Sequence, residues 1–186
     1  MKKFFKILGI VVASLILLYF GACIFGPKEL KVTRTISINA SANEVFQQVG
    51  DFKNWSNWSM WSIRDKNMQS SFEGEPMLVN HKWTWKSTEG NGTQVITSVV
   101  PNEEIKSDLL FEGFSDPNKS MFTFKENGRS EDLSVPCANC ITEVAWTMDM
   151  GKIPFLFRGM MFMFQGRLIE DFDGGLANLK KVCENS

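Results

Sequence analysis

The sequence predicts an α+β domain in which antiparallel strands are closed by one long C-terminal helix, behind an uncharged N-terminal segment. Three observations carry this reading. Seven stretches between residues 31 and 148 alternate or run apolar between turn-forming residues, beyond Gly151 the apolar period lengthens to three or four, and residues 7–25 contain no charge. The 186 residues leave room for about one domain behind that segment.

At about 1.5 Å per residue the uncharged segment reaches roughly 28 Å, near the hydrocarbon thickness of a bilayer. Lys2, Lys3 and Lys6 precede it and Gly26-Pro27 stops it. It can be a retained signal anchor, a lipoprotein signal ending at Cys23 after Phe20-Gly21-Ala22, or a buried helix. Its length and the lack of a small-x-small cleavage site after it favour the anchor. The division expected is therefore residues 1–27 as membrane anchor and 28–186 as domain. Lys28, Lys31 and Arg34 follow as densely as the lysines precede, so charge orients the chain weakly. A short basic tail is hard to translocate, which places the domain on the extracytoplasmic side.

Residues 31–39 alternate Val32, Arg34, Ile36 and Ile38 with Lys31, Thr33, Thr35 and Ser37, a strand. Ser41 and Glu44 form a capping box for a helix that buries Val45, Phe46 and Val49 and ends at Gly50. Phe52, Trp55, Trp58 and Trp61 recur every three residues, one face of a short helix or of tight turns. Strands are expected over 68–72, 78–86, 92–100, 105–112, 121–126 and 141–148. Turn residues separate them, among them Glu89-Gly-Asn-Gly92, Pro101-Asn102 and Asn127-Gly128. Residues 128–139 read as a polar insertion.

In the closing helix Met161, Phe164, Leu168, Phe172, Leu176 and Leu179 form one stripe, with Glu170, Asp171, Asp173, Lys180 and Lys181 outside. Its start, 153–164, is apolar nearly all round. Gly174-Gly175 costs roughly 1 kcal/mol per glycine relative to alanine, so close approach to bulky sheet side chains is expected there.

A net charge of −1, near −4 without the three leading lysines, and no basic patch argue against a nucleic-acid partner. Cys137 and Cys140 are a candidate local disulfide or two loop thiols. Their CxxC spacing also admits redox or metal chemistry, but a strand follows rather than a helix and no second CxxC completes a zinc site. No Gly-x-Ser-x-Gly and no phosphate-cradling loop occurs, and one histidine cannot build a multi-imidazole metal site. No cofactor is implied.

Alternation places His81, Trp83 and Trp85 on one strand face. His81 can be a packed strand histidine, a polar ligand contact or a general base, though no partner for acid–base work is legible. Trp55 and Trp58 can be core, pocket mouth or membrane-interface anchors. Phe157, Met161 and Phe164 can be plain core, a Met-rich pocket wall or an exposed patch for a partner or lipid. The candidate binding set is these residues with Trp146 and Leu168, expected to enclose an apolar pocket.

Several segments in order resemble the START/Bet v 1-like (SRPBCC) superfamily, in its bacterial polyketide-cyclase-like branch. They are Val32-x-Arg34-x-Ile36-x-Ile38-Asn39-Ala40 with Val45-Phe46, Asp51-Phe52 with Trp55 and Trp58, and His81-x-Trp83-x-Trp85 with Gly90 and Gly92. Phe172-x-x-Gly175-Leu176-x-x-Leu179-Lys180 completes the set. The resemblance spans residues 31–183 and departs at the 128–140 insertion and the Met/Phe-rich helix start. It implies a helix-grip fold, a seven-stranded antiparallel sheet wrapped around the last helix, and binding or transport of a hydrophobic small molecule or lipid without assigned catalysis. An enzyme acting on a bound hydrophobic substrate, with His81 beside an acid or hydroxyl in the cavity, is the first rival. A structural or interaction module with a filled core is the second.

Overall fold

The computed structural model describes residues 2–128 and 140–185. After α1 (Lys2–Phe25), β1 (Glu29–Ile38) leads into α2 (Ala42–Gly50), a 3-10 turn (Phe52–Asn57) and α3 (Met60–Arg64). Six strands follow: β2 (Gln69–Glu73), β3 (Lys82–Lys86), β4 (Gly92–Val100), β5 (Glu104–Phe111), β6 (Asn118–Asn127) and β7 (Ile141–Lys152). A 3-10 turn (Phe155–Phe157) then opens α4 (Arg158–Glu184). The strands form one antiparallel sheet, β1-β7-β6-β5-β4-β3-β2, in which the first strand closes against the last. The helix-grip plan implied by the resemblance is the fold observed.

Local chemistry explains most boundaries. Ser41 Oγ accepts from the Glu44 amide at 3.3 Å while the Glu44 carboxylate accepts from the Ser41 amide at 2.8 Å, the reciprocal capping box that starts α2. Gly50 ends that helix for another reason than a left-handed cap. A Cβ there would stand 2.8 Å from Met77 Cγ, and the Met77 amide donates to Gly50 O at 2.9 Å. Residues 78–80 are not strand: Met77 and Asn80 take φ of 62° and 72°, which no ladder accommodates, so β3 starts at Lys82.

The core lies between the concave sheet face and the later turns of α4. Phe122 of β6, Trp146 of β7 and Phe172 of α4 stack in series, with centroids 4.8 and 3.8 Å apart and planes 23° and 7° from parallel. Beyond the area they bury, such ring pairs contribute about 0.5–1.5 kcal/mol each. The glycine pair in α4 permits two approaches: Gly175 faces the Trp146 ring of the sheet, whereas Gly174 faces Met60 of α3.

Candidate functional site: an aromatic cavity under the long helix

Between the sheet and α4 lies a cavity of about 330 Å³. Five of the six tryptophans line it: Trp55, Trp61 of α3, Trp83 and Trp85 of β3, and Trp146. Met68, Leu109, Phe111, Met148, Phe164 and Leu168 supply the remaining apolar wall. Four of the five indole N–H groups are spent on the protein: Trp55 donates to Val49 O at 2.8 Å, Trp83 to Ser70 Oγ at 3.0 Å, Trp85 to Gly90 O at 3.1 Å and Trp146 to Ser120 Oγ at 3.2 Å. Four of the five rings are thus held by their polar edges, and Trp146 is fixed further by its stack between Phe122 and Phe172. Gly92 is needed for this placement, since a Cβ there would stand 2.5 Å from Trp85 Cζ2 and push the ring inward.

Polar groups gather at the mouth, where Glu89 and Gly90 of the β3–β4 turn face Phe164 and Arg167 of α4, all four exposed. Arg64 of α3 pairs with Glu89 at 2.9 Å and with Asp171 of α4, and Arg167 reaches Glu89 at 2.8 Å. Burial alone would lower the Arg64 pKa, but the hydrogen bond and charge of Asp171, then those of Glu89, outweigh it and raise it. The adjoining loop is fixed by Asp65. Its carboxylate accepts from Ser87 Oγ at 2.7 Å and from the Thr88 amide at 2.9 Å, which holds it down at about 2. Deeper inside, Gln94 Nε2 donates to Ser107 Oγ at 2.8 Å.

The residues expected at the site divide. Trp55, Trp83, Trp85, Trp146, Phe164 and Leu168 meet at the cavity; Trp58, His81, Phe157 and Met161 lie outside its lining. Trp58 is fully buried, against Trp55 and Trp146 and with Nε1 donating to Gln48 O. Phe157 is exposed, and Met161 packs on the edge of the core. His81 is buried just before β3 and stacks on Phe52 at 5.0 Å. Its Nε2 accepts from the Phe52 amide at 3.3 Å, and its Nδ1 faces Glu73 O and Gly74 O at 3.2 and 3.3 Å, so both ring nitrogens serve the backbone. The Asp51 carboxylate is 3.6 Å from Nε2. The site that a His81-based enzyme requires is not the arrangement found.

Asp171, expected outside, is buried in the cavity wall. The signal for it was its spacing, three after Leu168 and four before Gly175, on the apolar stripe itself. Gln94 was equally readable, two residues from both Gly92 and Ile96 on the inward face of β4. Among the described residues, no group of three or more His, Cys, Asp or Glu could hold a metal ion. Cys140 is buried and disulfide-bonded; Cys137, its expected partner, lies outside the described residues.

A family model described as "Polyketide cyclase / dehydrase and lipid transport" matches residues 29–184. A search of curated proteins finds no match. Among solved structures the fold is similar to a START superfamily protein from Mycobacterium smegmatis, with 17% identity over 83% of this chain and 97% of that one and a TM-score of 0.56. It is similar also to a protein of unknown function from Staphylococcus aureus (11% identity, 85% and 96% covered, TM-score 0.57). The Aha1 dimer from Colwellia psychrerythraea is a third (14%, 83% and 96%, TM-score 0.55). At such identities these structures speak for the fold; the family model covers most of the chain, and the chain belongs to the polyketide cyclase/dehydrase and lipid transport family.

Proposed function

We propose that this chain is a membrane-anchored binding or transport domain that takes an apolar small molecule or lipid into the cavity under α4. The observation that carries this is the cavity itself, about 330 Å³ walled by five tryptophan rings whose N–H groups are largely committed to the protein. Such a wall offers flat apolar contact and few free polar handles, which suits a hydrophobic ligand. Trp55, Trp83, Trp85, Trp146, Phe164 and Leu168 are its contacts, with the Arg64–Asp171–Glu89–Arg167 cluster at the polar end.

Residues 1–27 are the anchor and 28–186 the binding domain. The 24-residue α1 is long and apolar enough to cross a membrane, and Cys23 alone of its residues is buried. The bond at Cys140 supports an extracytoplasmic domain, since disulfides persist in oxidising compartments. Native mass spectrometry of the full chain, gently extracted in detergent, tests the ligand. The expected spectrum carries one apolar adduct per chain, which Leu109→Trp, filling the cavity wall, removes. An adduct-free chain that also fails to take up added fatty acid would contradict the reading. Extraction of membranes at alkaline pH tests the anchor: the chain stays with the lipid, and its release would count against the span.

A further inference from the structure

Around the start of α4, exposed apolar side chains lie beside the end of the N-terminal helix. The Ile153 amide donates to Lys28 O at 2.8 Å, at the sheet end where Glu29 pairs with Lys152, so the exit from α1 and the approach to α4 are tied together. From there the Tyr19 hydroxyl donates to Leu156 O, and the Phe20 and Phe155 rings meet at 6.2 Å. Gly159 sits against Tyr19, Ala22 and Cys23 so tightly that a Cβ would lie 3.2–3.4 Å from them. This seam involves the last two turns of α1, within the uncharged 7–25 run. A bilayer that holds that run reaches the level of Leu156 and Gly159.

Beyond the seam Met160, Phe162, Met163 and Phe164 project outward, Met163 with 85% of its surface exposed. Between Ile153 and Gln165 the only charge is Arg158, and it is folded back: Nε donates to Ile153 O at 3.1 Å and the guanidinium lies 5.8 Å from the Phe155 ring centre. Exposed apolar area on this scale marks a contact surface. Charge resumes at Arg167, on the cavity mouth, and Phe164 belongs to both the patch and the cavity wall.

We propose that these side chains insert into the leaflet that receives the end of α1, a second membrane contact that sets the cavity mouth against the lipid surface. Ligand then passes from the leaflet to the cavity along Phe164 without crossing water. The inference rests on α1 being a membrane span.

The test uses the full chain in vesicles of phosphatidylcholine and phosphatidylglycerol, with the photoreactive p-benzoylphenylalanine replacing Leu17, Met163 or Ile141 in turn. All three positions are exposed, Leu17 on α1 and Ile141 at the end of β7 opposite Lys152. Lipid adducts are expected from Leu17 and Met163 at no less than tenfold the Ile141 level. Labelling at Leu17 with Met163 at the Ile141 level overturns the second contact and leaves the anchor standing. No labelling at Leu17 or Met163 overturns both, and equal labelling at Ile141 overturns the second contact as well.

Discussion

The first two turns of α4 and its last five are both rich in large apolar side chains, yet they end in opposite surroundings. Leu168, Phe172, Leu176, Leu179 and Cys183 are buried in the sheet's concave face, while Met160, Phe162 and Met163 face outward. Hydrophobicity does not separate the two stretches; periodicity does. From Leu168 the apolar residues return every three or four positions, so one face can be covered by one sheet. From Phe155 to Phe164 they occur on every side, and one sheet cannot cover every side of a helix. An unpatterned apolar run asks for a second partner, and α1 is at hand for part of it.

Phe172→Ala and Met163→Ala put the contrast to its strongest test. Phe172 is fully buried and stacked on Trp146, so its truncation is expected to cost about 3–5 kcal/mol in denaturant unfolding of the detergent-solubilised chain. Met163→Ala is expected to change stability by less than about 0.5 kcal/mol. Comparable losses would show that both halves are core.

Arg64→Ala sharpens the boundary between the halves, because it leaves Asp171 buried without its partner. With Arg64 itself partly exposed, the expected loss is about 1–2 kcal/mol. Asp171→Asn, which keeps a hydrogen-bonding group in place, is expected to lose less. No loss in either variant, in the same unfolding assay, would mean that the pair contributes nothing at the mouth.

Smaller effects belong to single titrating groups. The Asp65 carboxylate, held at about 2 from an ordinary 3.8, favours the folded state above pH 3.8, and that contribution is lost as pH falls toward 2. Acid unfolding of Asp65→Asn should therefore be shallower than wild type between about pH 4 and 2; identical profiles would remove the loop anchor from the account. The Cys183 thiol is pushed up to about 11, first by burial and then by Glu44 and Glu184. Thiol reagents at pH 8 are expected to modify it only after unfolding, and prompt labelling of the native chain would show that the end of α4 opens.

Much of the fold was legible because it follows local rules. The Ser41–Glu44 box, the inward alternation of His81, Trp83 and Trp85, and the stripe from Leu168 to Leu179 each need only neighbours in sequence. The site was legible in part. Trp83 and Trp85 could be placed from strand parity, but parity says nothing of depth: His81 shares their face and serves the backbone of residues 52, 73 and 74 instead. Trp55 and Trp58 were inseparable by spacing, and it takes the tertiary fold to put one in the cavity wall and the other beneath it. Asp171 was misread because its charge was weighed above its position on the stripe.

On the reading proposed above, the space under α4 is a binding cavity whose wall excludes Met161. This is tested most directly by titrating a fluorescent fatty acid against wild type, Leu109→Trp and Met161→Trp. Leu109 lines the cavity and Met161 does not, so the same added bulk should act differently. Saturable binding is expected in wild type and Met161→Trp, with at least a tenfold loss in Leu109→Trp. Equal affinity in all three, or an equal loss in both variants, would contradict the account.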